Sequence, residues 1–185
     1  MGYALFAQRK VQLTGQLNTI SLMQTQRSNE QYMLATNTLS LNQQLSSLQV
    51  AQSTELADLY ALLANTTEDG LDQAYLDRIK TVDPQTGKSE YDLMSSYAKS
   101  LIDSGKTLDR DAINAEIEKK ELEFQKEQDA INRKIYLISV KENAIEMEVK
   151  RLDTQISAIQ QQLKAVEEAE GSAIERATPK FNGVG

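Results

Sequence analysis

The stretch Ile117–Val166, IEKKELEFQKEQDAINRKIYLISVKENAIEMEVKRLDTQISAIQQQLKAV, decides how this chain folds. Taken seven residues at a time it reads Ile117, Phe124, Ile131, Ile138, Ile145, Leu152, Ile159 and Val166, and every one of these heptad positions is apolar. An α-helix turns once in about 3.6 residues, so a strict seven-residue stripe stays on one side only if the helix supercoils gently against a partner. The stretch therefore predicts a long helix that needs a companion. A second series flanks it with Ile135, Val149, Ile156 and Leu163, interrupted by Glu142. Upstream the same series holds Asn114, Glu121 and Gln128. The predicted seam is two residues wide over the distal half and one residue wide near residue 107.

The companion lies at the other end of the chain. Over residues 1–65 the series Phe6, Leu13, Ile20, Arg27, Leu34, Leu41, Leu48, Glu55, Leu62 is apolar except at Arg27 and Glu55, and Leu17, Leu45 and Leu59 form a second, broken stripe. Gly15 costs a helix only about 1 kcal/mol relative to Ala, so the helix reads through it. The polar face of this segment holds 27 Gln, Asn, Ser and Thr against six charged residues. Ser, Thr and Asn compete for backbone hydrogen bonds inside helices, so such a helix is marginal alone and depends on packing.

Residues 66–106 break the heptads. Thr66–Gly70, Asp83–Lys88 and Asp103–Lys106 are turn clusters, and the segments between them suit short helices. A small, mostly helical tip is expected, with Tyr75, Leu76 and Ile79 facing Tyr91, Leu93, Met94, Tyr97 and Leu101; a strand over Tyr75–Val82 is the rival reading. Thr107 is the expected N-cap of the second long helix, which occupies 107–170 and ends at Gly171. Residues 171–185 form a tail containing Phe181. At about 1.5 Å per residue the two helices span roughly 98 and 96 Å. Equal rods joined by a short insert predict an all-α, coiled-coil-like antiparallel hairpin. A register of i against 172 − i pairs Phe6 with Val166 and sets Arg27 opposite Ile145.

Composition excludes several functions. The 185 residues contain no Cys and no His, which removes disulfides, thiolate chemistry and the commonest metal ligand and general base. A net charge of −7 argues against nucleic acid as a main partner. No segment approaches the length and apolarity of a membrane span. The opening Met1–Ala7 is apolar and precedes Arg9 and Lys10, the reverse of a Sec signal. The expectation is a cytoplasmic protein, or one exported without such a signal.

Candidate chemistry fails on spacing. Gly105-Lys106-Thr107 and Gly87-Lys88-Ser89 echo the end of a phosphate-binding loop, but the Gly required five residues earlier is Ser100 or Val82. Asn65–Gly70 resembles the start of a calcium loop, but its twelfth position is Leu76 where a Glu is needed. Glu116, Glu118, Glu121 and Glu123 lack the His residues of a di-metal bundle site. No catalytic, metal or cofactor site is expected. The residues expected to matter are those of the seam, with Tyr75, Tyr91, Tyr97 and Phe181 as candidate interaction residues.

A two-helix seam buries little against the entropy of ordering some 130 residues, at about 1–2 kcal/mol each. Homo-oligomerisation is the natural remedy, with Val11, Leu22, Met23, Leu56, Leu63, Leu137 and Val140 as inter-subunit contacts. In outline the matched terminal helices, the insert at the turn and the charge-poor N-terminal segment resemble bacterial axial proteins such as flagellins, hook proteins and secretion needles. That resemblance implies a self-assembling structural subunit of a filament, tube or ring. The alternatives are an intracellular coiled-coil adaptor, stalk or secretion chaperone that grips other proteins through its tip, and a phage or virion component.

Overall fold

The computed structural model describes residues 2–104 and 106–177. Two long helices, α1 (Gly2–Ala64) and α5 (Arg110–Ala177), pack together as an all-α helical hairpin. Between them lie β1 (Thr66–Thr67), β2 (Gly70–Leu71), α2 (Gln73–Lys80), α3 (Glu90–Leu93) and α4 (Ser96–Asp103). The contacts divide the chain into a terminal unit, Met1–Thr38 with Leu137–Gly185, and a tip unit, Leu39–Tyr136.

In the terminal unit, burial along α1 follows a three-four alternation. Leu13 is fully buried, while Phe6, Ile20 and Leu34 are half-buried. The second series is covered as well, although Lys10, Gln24, Gln31 and Thr38 fill most of it. On α5, Ile145, Leu152 and Ile159 are buried and Ile138 and Val166 half-buried. Polar contacts cross the seam, among them Lys10 to Glu167 at 2.8 Å, the Gln24 amide to Asp153, and Arg27 Nε to Glu148 at 2.9 Å. They correct the expected register. Pairing by 172 − i sets Lys10 against Gln162 and Arg27 against Ile145, whereas the actual partners lie five and three residues further along α5. The apolar periodicity tolerates such a slide; the ion pairs decide it.

The tip unit carries the denser core. Leu59, Leu62, Tyr75, Ile79, Ala98, Leu108, Ile113 and Ile117 form one buried cluster, and Leu56, Leu63, Leu76, Tyr91, Met94, Tyr97 and Leu101 pack against it. Leu41, Leu48 and Ile131 are half-buried and Phe124 is buried. Leu93, expected in this core, is 69% exposed.

The turns follow their residues. Thr66–Leu71 closes as a two-residue hairpin because Gly70 takes φ +127°, which a side chain would strain. The Asp83 carboxylate accepts from Gln85 N at 2.9 Å and from the Thr86 hydroxyl at 3.0 Å, holding the loop closed by the Val82–Ser89 bridge. Ser89 and Asp92 form a capping box that starts α3. Residues 75–80 belong to α2, so the strand expected as a rival does not form.

Two helix ends differ from expectation. α5 begins at Arg110 because the Asp109 carboxylate accepts from Ala112 N at 2.8 Å, leaving Thr107 exposed ahead of the helix. The helix also passes Gly171 and runs to Ala177, since one Gly costs too little to stop it. Phe181 and the rest of the tail after Ala177 lie outside the described residues, as does Gly105.

Candidate functional site

Arg27 and Glu55, the two charged members of the first α1 series, stand 28 residues apart, four heptads. Each meets a charge on α5, and those partners, Glu148 and Lys120, are also 28 residues apart. The terminal unit thus holds a cation on α1 against an anion on α5, and the tip unit holds the reverse. A slip of α1 against α5 by four heptads would set Arg27 against Lys120, or Glu55 against Glu148. Like charges there oppose the slip that the apolar stripes would accept.

The two pairs differ in surroundings. Arg27 also holds Glu30 at 2.7 Å, and its side chain is 41% exposed. Lys120 is only 16% exposed. Its Nζ lies 3.2 Å from Glu55 Oε2, 3.5 Å from Glu123 and 3.8 Å from the centre of the Tyr97 ring. Burial by itself lowers the pKa of Lys120, but the hydrogen bond and charge of Glu55, with help from Glu123, outweigh it and leave it raised. Glu55 Oε2 is shut off from solvent and has no well-aligned hydrogen bond, so Lys120 is what neutralises it.

Lys120 also changes the seam. Near the tip the flanking series is Ile113 and Lys120 rather than Asn114 and Glu121, and it steps by one residue before Gln128. The seam is therefore two residues wide here too, correcting the single width expected. The i,i+4 spacing of Glu116 and Lys120 reads in the sequence as an ion pair on an exposed face; the structure corrects this, because Glu116 pairs with Lys119 and Lys120 turns into the seam to meet Glu55.

The candidate tyrosines sit within the tip unit. Tyr75 is buried, with Arg78 5.4 Å above its ring. The half-buried Tyr91 donates to Asp103 and lies near Lys80 and Lys99. Tyr97 covers Lys120 and donates to Glu116, which also pairs with Lys119 at 3.1 Å. Burial first, then the Glu116 hydrogen bond, raises the Tyr97 pKa, and the same bond lowers that of Glu116. Tyr97 thus braces the tip on α5, whereas the polar and cationic partners of Tyr75 and Tyr91 lie within the tip helices.

Each unit also has a groove beside the seam. In the terminal unit a 710 Å³ groove is walled by Gln12, Gly15, Gln16, Thr19 and Gln155 over a floor of Ile20 and Ile159. In the tip unit a 540 Å³ groove is walled by Ser40, Gln43, Gln44, Ser47 and Glu127 over Leu48 and Ile131. Each of these tip residues stands 28 positions from its counterpart in the terminal groove. The grooves exist because small or slender side chains flank the seam at the same heptad places.

Among the described residues no group of three or more acidic, His or Cys side chains could hold a metal ion, and no helix is long and apolar enough to cross a membrane. No family model, curated protein or solved structure matches the chain.

Proposed function

We propose that this protein is a self-assembling structural subunit of a filament, tube or ring, built from copies of itself. The observation that carries the reading is the solvent face of α1. Residues 11–26 and 31–54 contain no charged side chain, yet Val11, Leu22, Tyr32, Leu39 and Val50 are 60–75% exposed there. A helix that leaves large apolar groups among uncharged neighbours is a surface for protein contact. Of the residues expected as inter-subunit contacts, Val11, Leu22, Met23, Leu137 and Val140 are exposed; Leu56 and Leu63 instead pack on the tip core. Light scattering across a concentration series, followed by negative-stain microscopy, tests the proposal. Concentration-dependent growth into ordered polymers supports it, and a monomer at every concentration overturns it.

The adaptor reading keeps one supporting observation: the tip exposes Val82 (55%) and Leu93 (69%) apart from its own core. Under that reading Leu93→Asp abolishes capture of a protein partner and leaves the oligomeric state unchanged.

A further inference from the structure

The large apolar residues exposed on α1 are not scattered. Leu5 and Met33, Val11 and Leu39, Leu22 and Val50, and Tyr32 and Tyr60 form four pairs, each 28 residues apart; of the exposed large apolar residues described on α1, Met23 alone falls outside such a pair, its counterpart being Ala51. Segments 5–32 and 33–60 also share Ala7/Ala35, Leu13/Leu41, Gln16/Gln44, Leu17/Leu45 and Gln24/Gln52. Helix α1 therefore carries one four-heptad surface twice. With about 3.5 residues per turn in a supercoiled helix, 28 residues return each side chain to the same place relative to the seam.

We infer that copies of this chain join through α1 in parallel with a stagger of 28 residues, segment 33–60 of one copy lying against segment 5–32 of the next. The inference rests on the self-assembly reading and names its interface. The occupant is a second copy for two reasons. First, the uncharged, apolar-studded face must meet a face that brings no charge to be desolvated. The outer face of α5 exposes Tyr136, Leu137 and Val140 too, but it carries Lys119, Lys126, Arg133 and Arg151. Its longest uncharged runs, 135–140 and 154–163, are too short to cover a 28-residue segment, so the surface in this molecule that matches along its whole length is α1 itself. Second, a surface present twice on one helix gives each copy two different partners, one for each segment. Such a contact is heterologous and open, and it propagates instead of closing.

The seam and the surface then play opposite parts. Inside, the swapped ion pairs reject a four-heptad slip; outside, the uncharged repeat permits a four-heptad offset. A 28-residue overlap is about 42 Å long and about 10 Å wide, roughly 400 Å² per partner. That is small for a stable pair; each addition to a growing end forms one such contact, so polymer length should rise steadily with protein concentration.

The chain has no Cys, which makes the test direct. Val11→Cys and Leu39→Cys proteins are prepared separately, mixed, and treated with a short bismaleimide. The stagger predicts that the mixed 11–39 product exceeds both like-with-like products several-fold, and that polymers show an axial repeat of about 42 Å. Like-with-like products equal to or above the mixed one overturn the stagger and leave self-assembly standing. A wild-type chain that remains monomeric overturns both. As a second arm, Leu22→Lys with Val50→Lys should abolish polymer while the helical circular dichroism is retained; polymer that survives this pair of changes overturns α1 as the interface.

Discussion

The tip unit and the terminal unit place an ion pair at equivalent points of the same seam, but the pairs do different work. Glu55 and Lys120 have side chains 21% and 16% exposed, with the Tyr97 ring closing over the ammonium. Arg27 and Glu148 have side chains 41% and 35% exposed. Water screens the second pair and largely leaves the first alone. The tip unit thus depends on its pair for stability, whereas the terminal unit uses its pair mainly to choose a register.

Removing one partner of the covered pair gives the largest expected effect. Lys120→Met keeps most of the apolar stem and strands the Glu55 carboxylate. The expected loss is about 2–3 kcal/mol, between the values for surface and fully buried pairs. Urea denaturation with unchanged slope measures it. Adding Glu55→Leu should recover most of the loss, because a matched apolar pair replaces a half-satisfied charge. A single substitution that costs nothing would show that Glu55 reaches water and would erase the contrast between the units.

The next effect concerns how the tip is fastened. Ser95 N, at the cap of α4, donates to Asp58 Oδ2 on α1 at 2.6 Å. Asp58→Ala leaves that part-buried amide without its charged acceptor, at an expected cost of about 1.5 kcal/mol. The loss should appear as faster amide exchange in α4 with the terminal unit unaffected. Equal acceleration in the two units would mean that they open together.

Acid should act mainly on the tip, because, of the carboxylates held below their usual range among the described residues, only Glu146, beside Lys150, lies in the terminal unit. Backbone and side-chain hydrogen bonds from Ser89 hold Asp92 below the usual carboxylate range; Gln85 and Thr86 do the same for Asp83, and Tyr97 and Lys119 for Glu116. A carboxylate with a depressed folded pKa stabilises the fold above its unfolded pKa, and that contribution fades as pH falls through the folded value. The tip should therefore loosen below about pH 4, the ordinary carboxylate range. Near-ultraviolet circular dichroism follows it, since the chain has no Trp and the covered rings Tyr75, Tyr91 and Tyr97 all lie in the tip. A tyrosine signal unchanged down to about pH 2.5, well below the ordinary carboxylate range, would contradict these assignments. Lys120 works in the opposite direction: its raised pKa keeps its contribution intact at neutral pH and loses it only as alkali passes the folded value.

These contrasts mark what the sequence discloses. The hairpin is legible because Ile117–Val166 repeats an apolar residue every seven positions, Phe6–Leu62 does so except at Arg27 and Glu55, and only packing against a partner makes use of that. The register is not legible, because an apolar stripe looks the same after every heptad; Lys10, Arg27 and Gln24 set it through polar contacts that periodicity does not rank. Lys120 was hidden for a related reason. A Lys buries its methylene stem while keeping its charge at an edge, so a charged letter can occupy a seam position where the apolar pattern shows a gap. The Thr66–Leu71 hairpin is too short to leave any periodicity of its own. The four-heptad repeat of α1 is visible in the sequence only once the exposed residues are separated from the buried ones.

The smallest expected effect is the sharpest test of the comparison. Arg27→Gln removes the terminal unit's cation but leaves Glu148 and Glu30 with water, so the denaturation midpoint should stay within error of wild type. Its consequence should instead be one of alignment. With Arg27 gone, no like charge opposes the slip that would have set it against Lys120, and only Glu55 against Glu148 still resists the slip in the other direction, between α1 of one copy and α5 of another. Mispaired dimers should then rise on refolding from urea, and size exclusion would resolve them. A clear loss of stability, without mispairing, would mean that Arg27 holds the fold as firmly as Lys120 does. The two pairs would then differ only in sign.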